Sequence, residues 1–170
     1  MALTSLLEEA LEAWAYTRAG VIDEIKNLSE ANLAFRPHAK SRTAAELAIQ
    51  VVESGLMMAG ELTRPDGDFR RQAYPQFLKE YAGRLPAAKK KSQLLALLKR
   101  TRAEGDRKIR AAGELFMLQA IKRFDGEHGT RLAWMNHAIS HEDYHRGQIA
   151  LYARLVGKVP ALTQRIYGSA

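Results

Sequence analysis

Three of the five histidines in this 170-residue chain fall within one short run, MNHAISHEDYHRGQ, residues 135–148. His141 and His145 are four apart. On a helix that places them about 40° apart in azimuth and one turn along the axis, so both imidazoles can converge on one ion. Alternating steps of three and four residues give Trp134, Ala138, His141, His145, Gln148, Tyr152 and Leu155, a seam predicted to face a helical interior. His137 is offset toward the edge of that face. Two histidines a turn apart repel if both are charged, and each needs a partner if both are neutral. A shared divalent cation meets both needs; a hydrogen-bonded structural pair is the alternative, and the spacing alone leaves both open.

His141-Glu142-Asp143-Tyr144-His145 also matches H-E-x-x-H, the signature of zinc proteases. That chemistry needs a third ligand downstream, and no Asp, Glu or His follows His145. The longer metzincin pattern fails at Gln148 and Leu151. Helical spacing places Glu142 about 100° round from His141, predicting that it is badly placed to act as a base in the interior. The protease reading is rejected. A third protein ligand must come from upstream, where Glu46, Gln50 and Glu53 form the one polar stripe of an otherwise apolar segment. Either the stripe is a solvent face or it looks into the same interior as the histidine pair. His38 and His128 lie in loops and are weaker candidates.

The elements that would carry these residues are helical. Sustained period-2 alternation is missing, and Asp66-Gly67 and Asp125-Gly126 read as polar loops rather than hairpin turns. A first helix opens at a capping box, Ser5 with Glu8, and runs to about Asn27 on a seam of Leu7, Leu11, Trp14, Val21 and Ile25 that Arg18 interrupts. A second opens at Thr43 with Glu46, runs to about Glu61, and is apolar nearly all round, so it is predicted to be buried on several sides. Residues 62–86, rich in Pro and Gly, read as a long crossover holding a short helix near Gln76–Tyr81. A third helix spans about Lys89 to Ala112, and the longest about Thr130 to Val156, ended by Gly157 and Pro160. The expected fold is all-α, a single four-helix-bundle domain over residues 1–170 with a long crossover between helices 2 and 3.

Composition narrows the chemistry. With no cysteine, thiolate metal sites, disulfides and cysteine nucleophiles are excluded. Any metal must be held by histidine, amide and carboxylate. No apolar run approaches the roughly 18 residues of a membrane span, and acids at the N-terminus are unlike a signal peptide, so a cytoplasmic protein without a membrane partner is expected. The formal charge is +7. Its source is residues 84–110, where ten Lys and Arg face only Glu104 and Asp106. No Phe, Tyr or Trp is interleaved to stack bases, so this block predicts a solvated helix face and no nucleic-acid partner.

The run His141-x-x-x-His145-Arg146-Gly147-Gln148, continuing through Ile149-Ala150-Leu151-Tyr152 to Gly157, together with Thr43-Ala-Ala-Glu46-Leu47, resembles the DinB/YfiT-like superfamily of metal-dependent four-helix bundles. The resemblance covers essentially the whole chain in helix order and loop placement. It implies a divalent metal, zinc or nickel, held by three histidines, two of them at His141 and His145. The third would stand in an E-L-x-x-H pattern, and here Gln50 occupies its place in Glu46-Leu47-Ala48-Ile49-Gln50. An amide oxygen binds a metal more weakly than imidazole; Glu53, one turn on, could supply a carboxylate. The resemblance further implies a homodimer and a metal-dependent transferase acting with a thiol, or a hydrolase, on a small molecule. The Gln50 departure carries the alternative: a metal-free bundle that binds a small ligand or a protein.

Overall fold

The computed structural model describes residues 5–168. Four long helices form the body: α1 (Leu6–Asn27), α3 (Ala44–Leu62), α5 (Lys91–Ala112) and α7 (Arg131–Leu155). Short helices α2 (Glu30–Leu33), α4 (Tyr74–Ala82), α6 (Glu114–Met117) and α8 (Ala161–Tyr167) decorate the connections. α1 packs on α5 and α7, and α3 packs on the same two, so α1 and α3 lie diagonally opposite. The long crossover between α3 and α5 carries α4 back against α3.

Helix ends follow their local chemistry. Thr43 caps α3 with both arms of the box: Glu46 N–H donates to Thr43 Oγ1 at 3.1 Å, and Thr43 N–H donates to Glu46 Oε2 at 2.6 Å. At α1 only one arm forms, Glu8 N–H to Ser5 Oγ, because the Glu8 carboxylate turns to Arg110 instead. α7 stops where Gly157 takes φ +75°. There Lys158 N–H reaches Ala153 O and Gly157 N–H reaches Arg154 O, closing the last turn. Buried Glu24 receives the first two amides of α8, which anchors the C-terminal helix to α1.

Two features depart from the sequence reading. Asp125-Gly126 is the turn of a small antiparallel hairpin, β1 (Ala120–Lys122) with β2 (His128–Thr130), in which Ile121 pairs with Gly129. Strands of three residues are too short to show a period, and Gly126 at φ +89° supplies the turn. Secondly, the buried stripe of α7 is Leu132, Met135, Ile139, Glu142, Arg146, Ile149 and Ala153, with His145 and Tyr152 beside it, while Leu155 is 55% exposed. The interior seam is therefore rotated by about one residue from the expected one.

The core divides into two apolar halves. One gathers Val21, Ile25, Leu47, Val51, Leu98 and Ile149; the other gathers Leu11, Trp14, Met57, Phe69, Phe77, Ile109 and Met135. Between them lies a polar layer centred on Arg18 and Glu142, each 1% exposed. The Arg18 guanidinium meets the Glu142 carboxylate twice, at 2.8 and 2.5 Å, and Trp14 Nε1–H donates to the same carboxylate at 2.7 Å. Arg18 also donates to Leu98 O, Thr101 Oγ1 and Val51 O, so one side chain touches all four long helices. Gly55 makes room for it: a Cβ there would stand 2.7 Å from Arg18 Nη2. The interruption at Arg18 in the seam of α1 is thus one end of a buried, fully bonded ion pair.

The basic block of α5 is partly absorbed by the fold. Lys91 donates to Lys26 O and Leu28 O, Lys108 pairs with Glu104, and Arg110 pairs with Glu8 and Asp106. Arg102 bonds Asp106 and Leu11 O while its guanidinium lies 4.3 Å from the Trp14 ring centroid.

Candidate functional site

His141 and His145 stand side by side on α7 at the level of the polar layer, with Nε2 to Nε2 at 3.2 Å. Their other nitrogens are held by neighbours. His145 Nδ1 is 2.7 Å from Gln148 Oε1, which only accepts, so His145 carries its proton on Nδ1. His141 Nδ1 is 3.2 Å from Ser54 Oγ, whose own hydrogen goes to Gln50 O at 2.8 Å, one helical turn back on α3. With its hydrogen there, Ser54 accepts from His141 Nδ1; turned to His141, the same hydroxyl donates instead. In the first arrangement both Nε2 lone pairs face one another, which suits a cation between them; in the second, His141 Nε2–H donates to His145 Nε2. Two nitrogens each about 2.0–2.1 Å from one zinc stand a little over 3 Å apart, so the observed separation fits.

Electrostatics favour the neutral, ligating form. Burial lowers the pKa of His141 to about 4, and His145 and Arg42 add to the effect. Burial also lowers His145, against the pull of its bond to Gln148. Glu53, half-buried, is raised by desolvation with Arg42 opposing.

The other residues singled out from sequence divide into two groups. Gln50 lies on the turn of α3 that adjoins Ser54, and its Oε1 is enclosed without a hydrogen-bond partner among the described residues. An enclosed acceptor left unpaired costs about 1–3 kcal/mol, and a cation or a ligand donor would remove that cost. Glu46, Gln50 and Glu53 line one cleft, so the stripe is neither wholly a solvent face nor wholly interior. His137, by contrast, is exposed and stacks on Trp134 at 4.4 Å between centroids. His38 and His128 are exposed and remote in the loop before α3 and in β2. Among the described residues no group of three or more His, Asp or Glu is gathered as a ligand set.

Glu142 is the largest correction. It was expected to sit off the interior face; it is instead in the core, with its carboxylate bonded by Arg18 and Trp14. Its one-turn kinship to His141 and His145 serves the bundle, and no free carboxylate from the H-E-x-x-H run reaches the pair.

Sequence reasoning missed Ser54, Arg42 and Tyr74. Gln148 stood on the expected seam and in the family's motif without a role, and its tie to His145 is an ordinary i, i+3 contact. Arg42 precedes the α3 cap, and its carbonyl accepts from Tyr152 OH at 3.2 Å, which pins the loop to α7. Arg42 and Tyr74 lie in the wall of a cleft of about 710 Å³, with Arg36, Lys40, Gln50 and Glu53. On the other side of Tyr74 a smaller pocket of about 120 Å³ is walled by Met57, Phe124, Trp134, Ala138 and His141. No helix among the described residues is long and apolar enough to cross a membrane.

Similarity to known proteins agrees with this architecture. A DinB-like protein (YjoA) of Bacillus subtilis superposes with a TM-score of 0.66 at 18% identity, covering 89% of this chain and 93% of that one. YfiT of Bacillus subtilis, described as a probable metal-dependent hydrolase with an unusual four-helix bundle topology, gives 0.69 at 13% identity, covering 92% and 91%. A point mutant of a mycothiol-dependent maleylpyruvate isomerase gives 0.63 at 14%, covering 86% of this chain and 63% of that one. At these identities the likeness is one of fold. The comparison with curated proteins gives no match. The DinB family model matches residues 1–167, and with the bundle, its crossover and its helix order in agreement, the chain belongs to the DinB family.

Proposed function

We propose that the protein is a divalent-metal-binding member of its family, a metal-dependent transferase or hydrolase acting on a small molecule, with His141, His145 and Gln50 as the protein ligands. The observation that carries this reading is the pair of Nε2 atoms at 3.2 Å, the spacing that two imidazole ligands of one cation take. The enclosed, unpaired Gln50 Oε1 supports it. A borderline-soft cation suits two imidazoles and tolerates an amide oxygen, so zinc or nickel is the expected occupant. When bound, such a cation supplies Lewis acidity that makes a water or a thiol nucleophilic near neutral pH.

The chain's own groups then have separate tasks. Ser54 and Gln148 hold the two imidazole rings in place. Glu53, with its pKa raised, is suited to hold a proton within the cleft. Met57, Phe124 and Trp134 give the pocket beside His141 an apolar wall. With no cysteine in the sequence, a thiol in the reaction would arrive with the substrate.

Metal analysis of tag-free protein incubated with zinc or nickel tests the reading, and close to one equivalent per chain is expected. Gln50→His, which installs a stronger third ligand, is expected to tighten zinc by about tenfold or more, read by competition with a chromophoric chelator. A chain that takes up less than a tenth of an equivalent, with no gain in Gln50→His, overturns it. The surviving alternative would then be a metal-free bundle in which Ser54 turns its hydroxyl to His141 and a His141 Nε2–H donates to His145. The homodimer implied by the family belongs to the same proposal.

A further inference from the structure

The two pockets that share Tyr74, the smaller of them lined by His141, differ in character, and the difference describes a ligand. The larger cleft has three cations in its wall, Arg36, Lys40 and Arg42, against two carboxylates, Glu46 and Glu53. Arg36 pairs with Glu46 at 3.6 Å, whereas Arg42 and Lys40 are exposed and make no ion pair among the described residues. Arg42 is also held in place, through its carbonyl, by Tyr152. The smaller pocket is apolar apart from its His141, His137 and Ser54 edge, and Trp134 in its wall keeps an enclosed indole N–H that meets no acceptor. Tyr74 lines both spaces, so its ring is the wall they share.

We infer that the site binds an amphipathic organic anion, its carboxylate or phosphate head held by Arg42 and Lys40 in the larger cleft and its small apolar tail seated against Trp134, Phe124 and Met57. The size of the tail follows from volume. An apolar cavity of roughly 150 Å³ accommodates benzene, so 120 Å³ takes a branched chain of four or five carbons and excludes a fused ring. A planar guanidinium binds either oxyanion head through two parallel bonds. The inference rests on the reading of the histidine pair as the reactive centre only for what the bound ligand undergoes; binding itself is independent of metal.

It is tested on metal-free protein in EDTA, by calorimetry and tryptophan fluorescence, with alkanoates branched at the tail from 3-methylbutanoate to 6-methylheptanoate. Matched alkyl phosphates and the neutral amides are the comparison arms. The anions are expected to bind with an optimum tail length, the amides about tenfold more weakly, and the better of the two anionic series identifies the head. Arg42→Gln is expected to weaken the anions about tenfold and leave the amides unchanged. Ala138→Leu, which fills the small pocket, is expected to weaken the branched anions and leave acetate alone. Should Ala138→Leu fail to fold, Phe124→Leu enlarges the pocket from its more exposed side and is expected to shift the optimum to bulkier tails. Equal binding of acid and amide, no effect of Arg42→Gln, or affinity independent of the tail overturns the inference. Because no metal is present, these outcomes are separate from success or failure of the zinc titration.

Discussion

Replacing Glu142 by alanine is expected to destabilise the bundle by about 3–5 kcal/mol. The reason is what remains behind. Arg18 would stay 1% exposed with its charge uncompensated, and Trp14 Nε1–H would lose its acceptor. Arg18→Met leaves the Glu142 carboxylate in the same position and is expected to cost a comparable amount. Removing both charges together, Arg18→Met with Glu142→Leu, is expected to recover most of the loss, since a packed apolar pair often matches a buried ion pair in stability. Urea unfolding of the two single variants and the double variant measures this. Losses that simply add would show that the two residues act independently, against the geometry.

The second large effect is a dependence on pH. In the metal-free protein His141 is held neutral down to about pH 4 by burial, by His145 and by Arg42. In the unfolded chain a histidine takes up its proton near pH 6.5. Between those values the unfolded state binds the extra proton, so stability is complete above about pH 6.5 and falls as the pH is lowered toward 4. The loss attributable to His141 is about 2 kcal/mol once solvent screening at its half-buried position is discounted. His145, also lowered, adds in the same direction. Urea midpoints in EDTA from pH 7.5 to 4.5, compared with those of His141→Gln, isolate the contribution from that of ordinary carboxylates. Equal slopes in the two proteins would remove the desolvated histidine from the account.

The helical frame was readable because each of its signals is local. Thr43 and Glu46 form their cap within one turn, and Gly157 ends α7 where a left-handed residue is needed. The histidine pair was readable for the same reason, being a four-residue spacing on one helix. What escaped depends on partners distant in sequence. Arg18 and Glu142 are 124 residues apart, and each looks like a surface residue until the other neutralises it. With Glu142 taken as outward-facing, the interior stripe of α7 was drawn one residue away from its true phase, through exposed Leu155. The hairpin escaped for want of length. Arg42 and Tyr74 lie in segments whose approach to the histidines is set by tertiary structure, through bonds such as Tyr152 OH to Arg42 O. Gln50 was placed through the family's pattern; the enclosure of its oxygen adds a local reason to look there.

The reach of Arg18 into α1, α3, α5 and α7 has a consequence for how the molecule breathes. Withdrawal of any one long helix would strand the guanidinium or the carboxylate without its partners, so partial opening at that level is nearly as unfavourable as opening everything. Amide hydrogens near Arg18, Val51, Thr101 and Glu142 are therefore expected to exchange together, at the rate set by global unfolding. Those of α8 and the β1–β2 hairpin should exchange earlier, as peripheral units. An exchange experiment resolved by residue would show four helices sharing one protection value, as a single cooperative unit built around one side chain.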